Sequence, residues 1–395
     1  MHCTVAANNP LSQPPNESGT LPPIPFRLER RIVNSAADNN KTFGDATDIV
    51  SVSASGSSHS GSTAPPSAGA GIPWSASMAK APVAARTKPH RVDIHHHLLP
   101  PKYVAETMAL RVGERSPAWS PEMSIEEMDK NGIATSVTSL MQPQVWFGDI
   151  DLGRRLARES NEYAAQLVRD YPGRFGIFAT FSLPDTEGSL REIEYALDVL
   201  NADGFGLMTS YANQWLGDPV FWPVMEELNR RKAVVYTHPL SPACCKNLIP
   251  DVGQSVIEYA TDTTRAIASL LLSGTAARFP DIRWIFSHGG GTMPFLLGRF
   301  RREESRVKER EKRLPNGIMF ELKKFYYDTA QANHAGALAA LLKIVSVSQV
   351  LFGTDFPFAL SEECVTGLSE WGFSAFDLRA IDRDNALRLL PRLKA

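Results

Sequence analysis

The chain has 395 residues, 43% of them hydrophobic, and a formal net charge of −2 at pH 7. This length supplies enough apolar side chains for a large core, and an α/β barrel can use about 250 residues or more as one domain. The near-neutral charge argues against a nucleic-acid partner and against a polybasic membrane anchor. No apolar run approaches the roughly 18 residues that a membrane span needs.

The chain contains four cysteines, Cys3, Cys244, Cys245 and Cys364. They are too few for a disulfide framework, and none lies in a C-x-x-C pair. We interpret the adjacent pair Cys244 and Cys245 as small buried or loop thiols. Because this usage fits a reducing compartment and no signal-peptide-like stretch is found, we expect a cytoplasmic protein.

Residues 1–88 differ in composition from the rest of the chain. The stretch 51–71, SVSASGSSHSGSTAPPSAGAG, holds eight Ser, four Gly and four Ala. It lacks the large apolar side chains that offset the entropy of ordering, so we predict a disordered low-complexity extension at 1–88. The catalytic domain is then expected at 89–395.

From His90 onward, short apolar runs alternate with longer amphipathic stretches. We predict eight strands, at 91–95, 134–140, 174–180, 204–208, 233–238, 282–288, 324–329 and 348–354. The helical candidates include 151–171, 186–200, 219–231, 254–277, 290–313, 334–343 and 374–390. This alternation predicts a (β/α)8 TIM barrel of the α/β class, with its active site at the C-terminal ends of the strands. An open doubly wound sheet is the alternative, but no G-x-G-x-x-G follows the first strand.

The first strand ends in the sequence Asp93-Ile94-His95-His96-His97. Side chains alternate across a strand, so His95 and His97 are predicted to point to one side and His96 to the other. Two imidazoles that project together form a chelating pair. An accident of surface composition and a satisfied cluster of core histidines are the alternative interpretations of these residues alone.

Ligand-type residues also end three other predicted strands: His238 on strand five, His288 on strand six and Asp355 on strand eight. A lone buried histidine is more often structural, but here the residues recur where a barrel builds its site. Three imidazole nitrogens and one carboxylate suit Zn²⁺, with water or substrate in an open position. His288 is then free to act as an acid or base. Strand four offers no lysine to bridge a second metal, which favours one ion.

The motifs VDIHHH, YTHP, SHGGG and LFGTDFP resemble those of the amidohydrolase superfamily. Within it, the chain is similar to the branch that includes 2-amino-3-carboxymuconate-6-semialdehyde decarboxylase, γ-resorcylate decarboxylase and 6-methylsalicylate decarboxylase. The resemblance runs from the region of His90 to the C-terminus. It implies a metal held by His95, His97, His238 and Asp355, with His288 catalytic.

Candidate substrate contacts lie in the segments that follow strands one, two and four. Decarboxylases of this branch often clamp a substrate carboxylate with an arginine after strand one, where this chain has Arg111 and Arg115. Trp146 after strand two and Tyr211 after strand four are candidates for lining an aromatic pocket, with ordinary loop packing as the alternative.

Three further residues are expected to have supporting roles. Asp328, at the end of strand seven, is placed to orient a ligand histidine. Asp262 and Arg265 are interpreted as a structural pair at a helix start, where aspartate is favoured by capping and by the helix dipole.

The leading hypothesis is non-oxidative decarboxylation of a small aromatic or unsaturated carboxylic acid. Its proton would come from His288 or Asp355, and no organic cofactor is needed because the substrate accepts the electrons. The alternative is hydrolysis of a lactone, amide or ester, since the ligand set alone does not separate the two. A non-catalytic binding protein is a third reading. We expect one divalent ion, Zn²⁺ with Mn²⁺ as the alternative, no nucleic-acid or membrane partner, and a homodimer as a candidate assembly.

Overall fold

The computed structural model describes residues 89–110, 117–140 and 142–394, so the predicted extension at 1–88 lies outside the described residues. Eight strands form one parallel sheet in chain order. They are β1 (Arg91–Leu98), β2 (Ile133–Leu140), β3 (Phe175–Ala179), β4 (Gly204–Met208), β5 (Val234–His238), β6 (Arg283–Phe286), β7 (Tyr326–Asp328) and β8 (Val350–Leu351). Each overlaps a strand predicted from the sequence.

Backbone hydrogen bonds join the segment that directly follows the eighth strand to the first strand, so the sheet curves back on itself. The amide of Ile94 donates to the carbonyl of Phe352 at 3.0 Å, and that of Asp355 donates to His95 at 2.8 Å. Farther along, the amide of His97 donates to the carbonyl of Phe356 at 2.8 Å. The predicted (β/α)8 barrel is therefore confirmed, and the open doubly wound sheet is wrong.

Helices cover the outside of the barrel, and the last of them packs against its N-terminal end. They are α1 (Pro101–Leu110), α2 (Pro121–Asn131), α3 (Ile150–Asp170), α4 (Thr186–Asp198), α5 (Trp222–Arg230), α6 (Gln254–Leu272), α7 (Thr275–Arg278), α8 (Met293–Glu304), α9 (Arg310–Arg313), α10 (Ile318–Leu322), α11 (Ala335–Leu342), α12 (Ser361–Glu370), α13 (Ala375–Arg379) and α14 (Asn385–Leu389). The long predicted helices at 254–277 and 290–313 are each divided, whereas the one at 374–390 runs from α13 to α14 through a π-helical turn, Ala380–Asp384. Gly274, at φ 85°, separates α6 from α7 because only glycine adopts that conformation freely. In the described part of the chain, no helix has the length and apolar character needed to cross a membrane.

The two ends of the barrel differ in polarity. An apolar layer fills the barrel interior, and α14 packs against it at the N-terminal ends of the strands. The buried side chains of this layer are Val92, Ile94, Val137, Phe178, Val234, Tyr236, Ile285, Leu351, Ala386, Leu387, Leu389 and Leu390. A second, larger core lies between the strands and the helices. Polar groups inside the barrel are thereby concentrated at its C-terminal end.

A buried carboxylate joins the first strand to the segment after the last one. Oδ1 of Asp93 accepts hydrogen bonds from the amides of His95 at 3.0 Å and Thr354 at 3.1 Å. Its Oδ2 accepts from the Thr354 hydroxyl at 2.7 Å and from Nδ1 of His96 at 3.1 Å. Nε2 of His96 lies 2.9 Å from the hydroxyl of Ser124, so its ring points away from His95, as strand alternation predicts.

Replacing this carboxylate should weaken the whole barrel. We expect Asp93→Ala to lower the free energy of unfolding by roughly 2–4 kcal/mol, since each buried donor left unpaired costs about 1–3 kcal/mol. Urea unfolding followed by circular dichroism measures the change. Asp281→Ala, at an exposed position, is the matched control and should leave the transition midpoint in place. Equal midpoints for the two variants would contradict the role given to Asp93.

Candidate metal centre

Five residues predicted from the sequence meet at the C-terminal end of the barrel. Three imidazoles face one carboxylate oxygen, Oδ1 of Asp355. Nε2 of His97 lies 3.0 Å from it, Nε2 of His95 lies 3.1 Å from it, and Nε2 of His238 lies 3.9 Å from it. The Nε2 atoms of His95 and His97 are 3.2 Å apart. This spacing is the one expected of donor atoms that surround a common centre.

The second carboxylate oxygen of Asp355 has different neighbours. Nε2 of His288 lies 3.3 Å from Oδ2, and Nε2 of Gln331 donates to the same oxygen at 2.7 Å. Sequence reasoning missed Gln331, which lies in the segment after β7 and carries no motif. His288 is nevertheless close to the centre, because one atom each of His95, His238, His288 and Asp355 lie within 4.8 Å of one another.

The hydrogen bonds of two histidines fix which ring nitrogen faces the centre. Nδ1 of His95 donates to Oδ2 of Asp328 at 2.8 Å, and Nδ1 of His238 donates to the carbonyl of Pro239 at 2.9 Å. Both Nε2 atoms therefore face Asp355, and each can bind a metal ion once it carries no proton. Nε2 of His238 is buried and has no hydrogen-bond partner among the described residues. A divalent cation would satisfy that atom, so these residues fit a metal site.

The protonation states also suit a cation. Burial lowers the pKa of His238 to about 3, which keeps its imidazole neutral, as a ligand must be. Burial also acts to lower the pKa of His95, but the negative charges of Asp355 and Asp328 outweigh it and raise that pKa to about 10. Burial acts to raise the pKa of Asp355, but the surrounding histidines hold it well below its usual range. The carboxylate is therefore ionised, and a bound cation would displace the proton from His95.

Asp328 holds two of these histidines at once, which confirms the orienting contact predicted for it. Besides the bond to His95, its Oδ1 accepts from the backbone amide of His288 at 2.8 Å. The close approach of Asp328 to His95 requires a glycine at position 353, in the LFGTDFP motif. A Cβ atom there would lie 2.9 Å from Cβ of His95 and 3.0 Å from Cβ of Asp328.

The turn after β6 directs His288 into the barrel. His288 has a left-handed backbone at φ 54°, which is uncommon outside glycine, and Asp355 has one at φ 66°. Gly291 closes the same turn, because a Cβ atom there would lie 2.0 Å from the carbonyl oxygen of Ala260. The SHGGG motif is thus explained by close backbone approach as well as by its histidine.

Two neighbouring cavities open at this end of the barrel. The inner cavity, of about 390 Å³, is lined by His238, His288, Gln331 and Asp355, among others. The outer cavity, of about 380 Å³, is lined by Trp146, Tyr211 and Lys246, among others. Both cavities are lined by Gln142 and Tyr259, and Nε2 of Gln142 donates to the Tyr259 hydroxyl at 3.2 Å. This pair forms a shared wall.

The predicted substrate contacts have three different outcomes. Arg111, like Arg115, lies outside the described residues. Trp146 lines the outer cavity, not the inner one, so its contact with substrate stays a prediction. Tyr211 also lines the outer cavity, but its hydroxyl already accepts from the amide of Met208 at 2.9 Å and donates to Oε1 of Gln144 at 2.9 Å. Those two hydrogen bonds are expected if Tyr211 has the alternative role, ordinary loop packing.

Asp262 has a structural role, but the expected position at a helix start is wrong. It lies in the middle of α6, where capping and the helix dipole do not act. Its carboxylate accepts from Nε1 of Trp215 at 2.8 Å and also bonds the hydroxyl of Thr209. Arg265 lies 3.6 Å from the same carboxylate. Trp215 belongs to a short antiparallel hairpin, Ser210–Tyr211 paired with Gln214–Trp215, that follows β4. The aspartate therefore ties α6 to this hairpin.

Comparisons with known proteins identify a family and relatives for this chain. The amidohydrolase family model matches residues 92–392. Decarboxylase yanB from Aspergillus niger is 36% identical over 328 residues, which cover 77% of this chain and 88% of that protein. The 6-methylsalicylic acid decarboxylase of Penicillium expansum is 32% identical over 317 residues, covering 77% of this chain and 97% of that protein. A crystal structure of dihydroxybenzoic acid decarboxylase from Polaromonas sp. JS666, with bound manganese and 2-nitroresorcinol, shares the fold at TM-score 0.68 and 22% identity, covering 78% of this chain and 98% of that one.

Loss of the carboxylate behind His95 should weaken metal binding. Asp328→Asn keeps the shape of the side chain but removes the charge that orients His95, and we expect affinity for a divalent metal to fall by roughly 10–100-fold. Competition titration with a chromophoric chelator measures this. Asp203→Asn is the matched control: its buried carboxylate accepts from the amide of Ile177 at the opposite end of the barrel. Equal metal affinities in the two variants would contradict the role of Asp328.

Proposed function

This chain belongs to the amidohydrolase family, and on that premise we propose that it decarboxylates a small 2-hydroxybenzoic acid of the 6-methylsalicylic acid type. Relatives more than 30% identical to it are named decarboxylases, and the matches cover most of their length. The chain is thus an enzyme of the carboxy-lyase class. The observation that carries the proposal is that the two carboxylate oxygens of Asp355 have different partners. Three imidazoles lie near one oxygen, and His288 lies near the other.

We assign one divalent ion to His95, His97, His238 and Oδ1 of Asp355. The Nε2 atoms of the three histidines surround that carboxylate oxygen. When bound, such an ion acts as a Lewis acid toward oxygen atoms of the substrate. A set of three imidazoles and one carboxylate favours zinc, and manganese, which a structural neighbour holds, is the alternative.

The inner cavity is suited to one aromatic ring. Its volume of about 390 Å³ lies at the small end of the range for ligand sites. Val256, Tyr259 and Phe358 offer apolar surface to a ring, beside His288 and Asp355. Among the described residues that line this cavity, none is a lysine or an arginine. We infer that the negative charge of the substrate carboxylate is balanced by the cation at the metal centre.

The reaction needs a proton at the ring carbon that loses CO₂. As the carbon–carbon bond breaks, its electron pair stays with the ring, and the carbon gains hydrogen in place of the carboxyl group. Because the carboxylate of Asp355 is ionised, we place the proton on Nε2 of His288, which lies 3.3 Å from Oδ2. Gln331 donates to the same oxygen and so fixes the carboxylate between the metal ligands and the acid.

Hydrolysis of a lactone, amide or ester is the second candidate, since the same residues can serve it. The names of the relatives above 30% identity favour decarboxylation. A cytoplasmic location, a homodimer and the absence of a nucleic-acid partner stay predictions.

The two roles proposed for the histidines can be separated by substitution. His288→Ala should retain the metal and lose roughly 10²–10⁴-fold in kcat, the usual contribution of a positioned proton donor. His238→Ala should lose metal and activity together, because it removes a ligand. Elemental analysis beside steady-state kinetics measures both quantities. His90→Ala, at the opposite end of the barrel, is the control and should keep both. Equal metal loss in the His288 and His238 variants would make His288 a ligand.

The substrate class is tested by a release assay. With 6-methylsalicylate, the metal-loaded enzyme should produce CO₂ and 3-methylphenol. 2-Methylbenzoate should not react, because without the hydroxyl its ring is too poor in electrons to accept a proton at the carbon that bears the carboxyl group. Gas analysis and chromatography follow the products, with His238→Ala protein as the blank. Opening of lactones without any CO₂ release from hydroxybenzoates would replace decarboxylation by hydrolysis.

A further inference from the structure

Two adjacent thiols lie on the loop that follows β5. Cys244 is exposed and Cys245 is half-buried, and their Sγ atoms are 2.8 Å apart. A short turn, Ala243–Cys245, fixes them, and the amide of Cys245 donates to the carbonyl of Pro242 at 2.9 Å. Ala243 and Lys246, on either side of the pair, line the outer cavity. The thiol of Cys244 is thus accessible to solvent, and the pair lies beside the outer cavity.

The surroundings of the pair favour reaction at sulfur. Nη2 of Arg265 donates to Sγ of Cys245 at 3.6 Å, and a nearby guanidinium stabilises a thiolate. The hydrogen bond between the thiols raises the pKa of Cys245, while the charge of Arg265 acts to lower it. Cys244, the more exposed of the two thiols, is therefore placed to attack first.

Cys364 offers an internal contrast. It is buried, its thiol donates to the carbonyl of Gly353 at 3.1 Å, and burial raises its pKa to about 12. A buried thiol of that kind is inert. The two cysteine environments in the described part of the barrel therefore differ in access, in local charge and in the presence of a partner sulfur.

We propose that Cys244 and Cys245 form a redox modification site, which a small-molecule disulfide of the glutathione class converts to a disulfide between neighbouring residues. The thiolate of Cys244 attacks the small disulfide, which forms a mixed disulfide and releases one small thiol. The thiol of Cys245 then attacks the Cys244 sulfur of that mixed disulfide, releasing the second small thiol. Two protein thiols are oxidised, one disulfide is reduced, and both protons leave with the small thiols.

The product should be reversible. Neighbouring Cα atoms are about 3.8 Å apart, which is shorter than the usual span of a disulfide, and strained disulfides are reduced more easily. This chemistry depends on the loop alone and is independent of the reaction proposed for the metal centre.

Peptide mapping tests the proposal on the full-length protein. The native protein is incubated with oxidised glutathione, alkylated after denaturation, and digested with trypsin. Cleavage after Lys232 and Lys246 releases residues 233–246, which contain both thiols and no other cysteine. We expect this peptide to be lighter than its reduced form by two hydrogen atoms and free of alkyl groups. Dithiothreitol should restore the reduced form.

Single-cysteine variants distinguish the paired chemistry from ordinary thiol reactivity. In Cys245→Ser the second attack is lost, so the same peptide should retain glutathione as a stable adduct. Cys364 should be alkylated, not oxidised, in every sample. A wild-type peptide 233–246 that stays fully alkylated, or that carries a stable glutathione adduct, would overturn the proposal. So would a Cys245→Ser variant that forms no adduct.

Discussion

The buried carboxylate of Asp355 is the group on which this site depends. Taking an ionised carboxylate out of water costs several kcal/mol unless hydrogen bonds and opposite charge compensate for it. Here three imidazoles surround one oxygen, while His288 and Gln331 contact the other. Because the two oxygens have different partners, a single side chain can, in the proposed function, both complete a metal site and position His288 as an acid.

Two further buried carboxylates hold this arrangement in place. Asp93 ties β1 to the segment that carries Asp355, and Asp328 binds both His95 and the backbone of His288. Each oxygen of these two carboxylates accepts at least one hydrogen bond, and buried polar groups that are satisfied in this way make a site rigid. The apolar layer beneath α14 supplies stability from the other end of the barrel. The C-terminal end can therefore keep left-handed backbone at His288 and Asp355.

Much of the fold and most of the centre could be predicted from local rules. Strand–helix alternation predicted the eight-stranded barrel, and the period of two along β1 placed His95 and His97 on one side with His96 on the other. The rule that barrel sites lie at the C-terminal ends of strands then identified His238 and Asp355 as further candidate ligands. Each of these inferences needs only the spacing of residues within one segment.

Other features depend on where loops from distant segments meet. Gln331 reaches Asp355 from a loop without periodicity, and Asp262 acts from the middle of α6 because Trp215 packs there. Nor could spacing reveal that Tyr211 lines an outer cavity, away from the metal centre. The sequence by itself determined the barrel and the candidate donor residues, since strand periodicity is local. Only the tertiary structure decided which oxygen of Asp355 each donor faces, because that direction is set by packing between segments.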